Sequence, residues 1–440
     1  MKKVLVLGAG LVTRPHVEYL LNIPDFHVTV ASRTVSKAEA LIDDSANGTA
    51  VQLDVSDEAR LRERIAQCDL AVSMLPYVYH PLVARFCIEL KKQMVTTSYV
   101  SDAMQKLDGP ARKAGVLIMN EIGVDPGIDH MSAMQVIDRV RKNNGQVVSF
   151  KSNTGGLPAP EANTNPLGYK FSWSPRGVLL ASKNAARWRE DGKEVNVPGE
   201  ELFDNYWPLY IEGLGWLECY PNRDSLPYLD IYSIPNAKTM FRGTLRYTGW
   251  CQTVRKLVAA GWLSDEAIDL AGLTLGKLTA KLMGSPGTDV RKEAMNQLDI
   301  TENTYAFKNL DWLGLFSDEP LPVTKGSPLD VLVANMLAKM QYDEGERDML
   351  VMQHEFIAEY PDRQEKIMST MIDYGIPHGD TSMSRTVGLP AAIAVRMILQ
   401  GEVELTGVHR PVMPEVYEPV MAELKELGIA FTETVEPLTA

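Results

Sequence analysis

A chain of 440 residues, 45% hydrophobic and 23% charged, has room for two or more domains and can bury a large core without disulfide staples. Its formal net charge of −13 argues against nucleic acid and anionic membranes as partners, so any anionic ligand must be held by local cations. No stretch approaches the roughly 20 apolar residues that span a bilayer. After Met1-Lys2-Lys3 the apolar run covers only 4–7 and no cleavage site follows, so the expected compartment is the cytoplasm. The four cysteines, Cys68, Cys87, Cys219 and Cys251, lack the spacing of a zinc knuckle or a redox CxxC.

The first third alternates short apolar runs with helical patterns. Strands are expected at 4–7, 28–31, 50–53, 70–75, 93–97 and 116–119, with helices near 12–22, 35–42, 57–66, 79–91 and 101–113. Six strands joined by five crossovers predict a doubly wound Rossmann sheet, the α/β class with parallel strands.

The first strand runs into Gly8-Ala9-Gly10-Leu11-Val12-Thr13. Two glycines match the GxGxxG fingerprint and Thr13 stands at the third. The strand before and the helix after supply the context that separates a dinucleotide loop from an ordinary glycine turn. Gly8 permits the tight turn, and Gly10 lets backbone approach a pyrophosphate at the helix N-terminus.

The end of the second strand selects the nucleotide. An NAD site carries an acid there for the ribose hydroxyls. This chain has Ser32-Arg33-Thr34, whose guanidinium suits a 2′-phosphate, so NADP(H) is expected over NAD(H). The alternative is that Ser32 and Thr34 only cap the next helix.

Ligands of open α/β sheets bind beyond the carboxyl ends of the strands. That places Asp54-Val55, Ser73-Met74-Leu75-Pro76-Tyr77, Thr96-Thr97-Ser98-Tyr99 and Asn120-Glu121-Ile122-Gly123-Val124-Asp125-Pro126-Gly127 at the expected site. Asp125 either faces the cleft mouth or caps the helix that resumes near 128. The seven histidines form no evident constellation, and His130 reads as structural.

Beyond about 146 the alternation stops, and Gly, Pro and aromatic residues become dense. An α+β domain on a mixed or antiparallel sheet is expected, with helices near 264–300, a strand at 348–358, an extended or helical segment at 365–373, helices at 384–399 and 415–427, and a strand-like 429–432. The tail is expected to return to the first domain or to bridge the two. The resulting division is 1–127 for the nucleotide, 128–383 for substrate and dimerisation with a helical insertion near 250–345, and 384–440 returning to the first domain.

Several stretches carry a resemblance: Leu75-Pro76-Tyr77, Thr97-Ser98-Tyr99, Met119-Asn120-Glu121-Ile122-Gly123-Val124-Asp125-Pro126-Gly127-Ile128-Asp129-His130, Gly155-Gly156-Leu157-Pro158-Ala159-Pro160-Glu161, Tyr220-Pro221-Asn222-Arg223-Asp224-Ser225 and Phe241-Arg242-Gly243-Thr244-Leu245-Arg246-Tyr247. Over most of its length the chain resembles the saccharopine reductases, the NADP-dependent, glutamate-forming saccharopine dehydrogenases. The resemblance implies interconversion of saccharopine with glutamate and 2-aminoadipate 6-semialdehyde through an imine and hydride transfer, in lysine metabolism, by a homodimer.

Carried over by motif, it implies that NADP(H) touches Gly8, Ala9, Gly10, Leu11, Val12, Ser32, Arg33, Thr34, Asp54, Val55, Leu75, Pro76, Asp125, Pro126, Gly127 and Ser174. Saccharopine would touch Ser98, Tyr99, Asp125, Arg223, Thr244, Leu245 and Arg246. Arginine suits a tricarboxylate ligand, although Arg223 could instead pair with Asp224, and Arg242 and Arg246 could be surface strand residues. The proton-transfer candidates are Asp125 and Tyr99. Where the family pattern has a cysteine before Gly155, this chain has Thr154, so no thiol there serves its chemistry. Rival readings are an imine reductase of another carbonyl–amine pair, such as a carboxynorspermidine synthase, and an NADP(H)-sensing protein without turnover.

Overall fold

Val4, Leu5, Val6 and Leu7 are all buried, as a strand covered on both faces requires. They form most of β1 (Lys2–Leu7). The computed structural model describes residues 1–438. After β1 come α1 (Arg14–Leu21), β2 (Phe26–Ser32), α2 (Val35–Ile42), β3 (Gly48–Gln52), α3 (Glu58–Ala66), β4 (Leu70–Ser73), α4 (His80–Leu90) and β5 (Gln93–Thr96). Then follow α5 (Asp102–Gln105), α6 (Asp108–Ala114), β6 (Leu117–Met119) and α7 (Ile128–Lys142).

One helix was expected over 101–113, and two form. In a continuous helix Pro110 would lack its N–H and its ring would meet the Lys106 carbonyl, so the chain restarts at Asp108.

The second half of the chain begins with β7 (Gln146–Pro158). It continues through α8 (Pro175–Ala181), β8 (Ala186–Glu190), β9 (Lys193–Val197), β10 (Trp207–Ile211), β11 (Gly215–Pro221), α9 (Tyr228–Ile231) and β12 (Thr239–Arg246). Five helices follow: α10 (Trp250–Ala259), α11 (Leu275–Met283), α12 (Val290–Gln297), α13 (Tyr305–Trp312) and α14 (Pro328–Lys339). The last of these opens on a full capping box between Ser327 and Asp330. β13 (Asp348–Glu359) and β14 (Gln364–Tyr374) complete the strands of this half, so the segment left open at 365–373 is extended.

The chain ends with α15 (Ser382–Gln400), β15 (Gly407–His409), α16 (Pro414–Glu426) and β16 (Thr432–Leu438). The expected strand at 429–432 starts later. Ile429 is buried and donates its N–H to Leu424 O at 2.8 Å, behind Gly428 at φ 86°. It is therefore used in closing α16.

Two compact units result. The first comprises Met1–Gln146, Tyr360–Asp362 and Met371–Glu433, and the second Val147–Glu359, Arg363–Thr370 and, of the described residues that remain, 434–438. Residues 128–146 and 371–383 thus lie in the first unit, whereas the sequence reading gives them to the second.

The first unit holds a seven-stranded parallel sheet in the order β15-β6-β5-β4-β1-β2-β3. Six of these strands were foreseen. β15 has three residues and no periodicity of its own, and it is held by parallel pairing of Val408 with Ile118. The order reverses between β1 and β4, where Leu7 stands opposite Ser73, and this is the switch point at which such sheets bind ligands. On one face α15 packs against α1, with His16 Nδ1 3.2 Å from Gly388 O.

The second unit is built on a mixed sheet in the order β10-β11-β12-β7-β13-β14-β16, with the β8–β9 hairpin joined to β12. β7 and β12 pair in parallel, and β11 and β12 antiparallel. Phe150 on β7 stacks on Phe356 of β13 at 4.6 Å and meets Tyr232 edge-on at 5.8 Å. Among the described residues no helix is long and apolar enough to cross a membrane.

Candidate active site

In the first unit the switch point is shaped by glycine. Gly8 has φ 113°, and a Cβ there would lie 2.9 Å from Met74 O, so the turn out of β1 requires this residue. Gly10 and Leu11 are exposed on the loop, the latter at 67%. Thr13, in the place of a third glycine, is buried, and its hydroxyl accepts the Gly10 N–H at 3.1 Å.

At the end of β2, Arg33 is exposed and makes no ion pair among the described residues. Thr34 precedes α2 but its side chain makes no capping bond, and its N–H instead donates to Ser32 Oγ at 3.2 Å. The capping alternative for Thr34 therefore fails. Hydrogen bonds from the Ser56 N–H and hydroxyl lower the pKa of the Asp54 carboxyl, with the Arg33 charge contributing. Val55 is buried, Leu75 half-buried and Pro76 exposed.

The Asp125–Gly127 turn, with a cis Asp125-Pro126 bond, follows β6. Gly127 has φ 149°, and a Cβ there would stand 2.0 Å from Gly123 O, so it too must be glycine. Gly127 is the N-cap residue of α7 and no side chain caps that position. Asp125 does not occupy the capping position. It accepts a hydrogen bond from Tyr99 Oη at 2.9 Å. The structure thus brings together the two proton-transfer candidates, both half-buried.

A histidine constellation that the sequence did not reveal lies beneath Ser98. His80 is 2% exposed and bridges two hydroxyls, with Nδ1 2.8 Å from Ser73 Oγ and Nε2 2.8 Å from Ser98 Oγ. Thr96 Oγ1 lies 3.3 Å from the same Nε2 and donates to Ser73 O at 2.9 Å. Burial lowers the His80 pKa to about 4, so the ring is neutral near pH 7 and offers one donor and one acceptor. These residues come from the ends of β4 and β5 and from the start of α4. Ser73, Thr96 and Ser98 lie seven to eighteen positions from His80 in sequence, so no local pattern announces them.

In the second unit the predicted arginines divide. Arg223 is exposed with φ 57°, and its carbonyl accepts the Arg187 N–H at 3.0 Å. Asp224 pairs with Arg187 at 3.6 Å. Arg242 and Arg246 are not surface residues: they are 2% and 6% exposed. Arg242 lies over the Tyr228 ring at 4.4 Å. Arg246 lies over Tyr169 at 5.1 Å and Trp250 at 5.5 Å. Its Nη1 donates to Leu245 O at 2.7 Å, while its Nε finds no hydrogen-bond partner among the described residues.

Thr244 stands opposite Thr154 on β7, and the buried Thr154 Oγ1 also has no partner among the described residues. A buried unsatisfied donor costs about 1–3 kcal/mol, and two on neighbouring strands fit a ligand-facing surface. Leu245 is fully buried, and Ser174 Oγ caps α8 by accepting the Gly177 N–H at 3.2 Å.

A nucleotide loop at the switch point of one unit and buried arginines on a mixed sheet in the other define a two-domain, dinucleotide-dependent oxidoreductase. Residues 4–119 match the family model described as saccharopine dehydrogenase NADP binding domain, and residues 123–429 match the saccharopine dehydrogenase C-terminal domain. The chain belongs to the saccharopine dehydrogenase family.

It is 41% identical to "Saccharopine dehydrogenase [NADP(+), L-glutamate-forming]" of Schizosaccharomyces pombe, covering 99% of each chain. It is 40% identical to "Alpha-aminoadipic semialdehyde synthase, mitochondrial" of Bos taurus, covering 98% of this chain and 47% of that one. The structure of the apo, glutamate-forming saccharopine dehydrogenase of Saccharomyces cerevisiae superposes with a TM-score of 0.90 at 41% identity, covering 99% of this chain and 100% of that one.

Proposed function

We propose that the chain catalyses NADP⁺-dependent oxidation of saccharopine to glutamate and 2-aminoadipate 6-semialdehyde, and the reverse reductive condensation. The observation that carries this reading is the full-length match in sequence and fold, 41% identity at a TM-score of 0.90. NADP(H) supplies the hydride acceptor or donor when bound.

The residues present suit that nucleotide. The glycine loop leaves backbone open at a helix N-terminus, and Arg33 offers its fork where an acid would favour NAD(H). Gly8, Ala9, Gly10, Leu11, Val12, Ser32, Arg33, Thr34, Asp54, Val55, Leu75, Pro76, Asp125, Pro126, Gly127 and Ser174 would hold it.

For the substrate the assignment is Ser98, Tyr99 and Asp125 in the first unit, and Arg223, Thr244, Leu245 and Arg246 in the second. The arginines neutralise and orient carboxylates in a chain whose overall charge repels them. Leu245, with its side chain buried, takes part through backbone. Tyr99 and Asp125, already hydrogen-bonded, form one proton-handling pair for carbinolamine formation and breakdown, a role worth on the order of 10²–10⁴-fold. Buried arginines favour a polycarboxylate over the diamines of the carboxynorspermidine reading. A cytoplasmic homodimer is part of the same proposal, tested by light scattering and fractionation.

The function is tested by incubating the protein with saccharopine and NADP⁺. Reduced nucleotide and glutamate in equal amounts are expected. Absence of both products overturns the reading.

A further inference from the structure

Glu121 lies between Ser98-Tyr99 and the Asp125 turn, and nothing above gives it a role. It is 1% exposed, with φ 55° in the left-handed region, a conformation that strains a non-glycine residue. Its bonds explain why that conformation is kept. The Glu121 N–H donates to Ser98 O at 3.1 Å. Oε1 accepts the Val100 N–H at 2.8 Å and Arg410 Nε at 2.9 Å, and Oε2 is 2.8 Å from His130 Nε2. Backbone and carboxylate of one residue thus grip Tyr99 from both sides.

The other end of the grip reaches Asp125. His130 is in the first turn of α7, beside Asp129, whose Oδ1 accepts the Gly127 N–H at 2.5 Å. Arg410 follows β15, the strand returned from the C-terminal segment. Burial alone would raise the Glu121 pKa. The His130 hydrogen bond, with the charges of His130 and Arg410 and the Val100 N–H, holds it down at about 2, so a full negative charge sits at the centre.

We infer that Glu121 is the positioning residue of the reaction: through Val100, His130 and Arg410 it fixes the distance and alignment of the Tyr99–Asp125 pair. The C-terminal return thereby supplies, in Arg410, a counter-ion for the site. This inference rests on the assignment of Tyr99 and Asp125 made above.

Glu121→Gln keeps the shape and removes the charge. Misplacing a reacting group by about 1 Å costs on the order of 10²-fold, so kcat for saccharopine oxidation should fall by roughly ten- to a hundredfold, with the KM for NADP⁺ within about twofold of wild type. In an Asp125→Asn background the same substitution should cost less than about threefold, because residues acting as one unit are not additive. Arg410→Met should reproduce the loss, and Arg410→Lys should restore most of it. The Arg410 pair decides the matter alone if Glu121→Gln does not fold.

Wild-type kcat in Glu121→Gln, or an equal loss in both backgrounds, overturns the inference. Wild-type kcat in Asp125→Asn alone overturns the site assignment as well, and is told apart because no change at Glu121 is involved.

Discussion

His80 makes a prediction that joins stability to the site. Its pKa is lowered by burial from 6.5 to about 4, so as pH falls the unfolded chain takes up this proton first. The stabilisation from keeping the ring neutral is complete above about pH 6.5 and is lost as pH falls toward 4, by about 3 kcal/mol in total. His80→Leu removes both the proton site and the bridge between Ser73 and Ser98. Ser73 is fully buried, so its orphaned hydroxyl should cost about 1–3 kcal/mol near pH 7.5. Ser98 is half-buried and solvent can serve it.

The variant lacks the acid-linked loss. Its deficit relative to wild type should therefore shrink by about 2 kcal/mol between pH 7.5 and 5.0. His16, whose pKa burial also lowers to about 4, is common to both proteins and cancels in the difference. Urea midpoints at the two pH values, with equal slopes, measure the gap. A gap that does not change with pH would refute the argument that His80 is neutral in the fold.

Other consequences concern ligands. Arg33→Ala should weaken NADPH by roughly 1.5–3 kcal/mol, as for one lost charge-assisted contact, and leave NADH nearly unaffected; equal losses in kcat/KM for both would sink the nucleotide assignment. Truncating Arg246 or Arg223 should raise the KM for saccharopine while leaving that for NADP⁺ within about twofold, since each removes a carboxylate partner; unchanged saccharopine kinetics in both would move the substrate site. Thr154→Ala should keep kcat within about tenfold, because a hydroxyl is too weak an acid for proton transfer near neutral pH. Asp125→Asn should cost more, and the reverse ranking would place the chemistry at β7.

Much of the first unit was legible because its signals are local. Buried parallel strands read as apolar runs, and Gly8-Ala9-Gly10 and Arg33 lie within a few residues of a strand end. The seventh strand was not legible: Gly407, Val408 and His409 are defined by the edge of β6 on which they pair. His80 and Glu121 were missed for the same reason. Each gains its role from partners on other elements, and a lone histidine or glutamate in sequence is indistinguishable from a solvated one.

Arg242 and Arg246 show the converse. Arginine on a strand reads as exposed, but β12 lies inside its sheet between β11 and β7, and aromatic rings cover both side chains. Loop-rich second units hide such burial because it is decided by sheet order, which periodicity does not encode.

Initial rates of nucleotide oxidation decide whether this chain carries out the proposed reaction. NADPH and NADH are each supplied with glutamate plus 2-aminoadipate 6-semialdehyde, against a panel in which a diamine replaces glutamate or another aldehyde replaces the semialdehyde. Turnover is expected with glutamate, the semialdehyde and NADPH together, with saccharopine as product and a kcat/KM at least about tenfold lower with NADH, from the lost 2′-phosphate contact. Turnover that prefers a diamine, or that is equal with NADH, would contradict it.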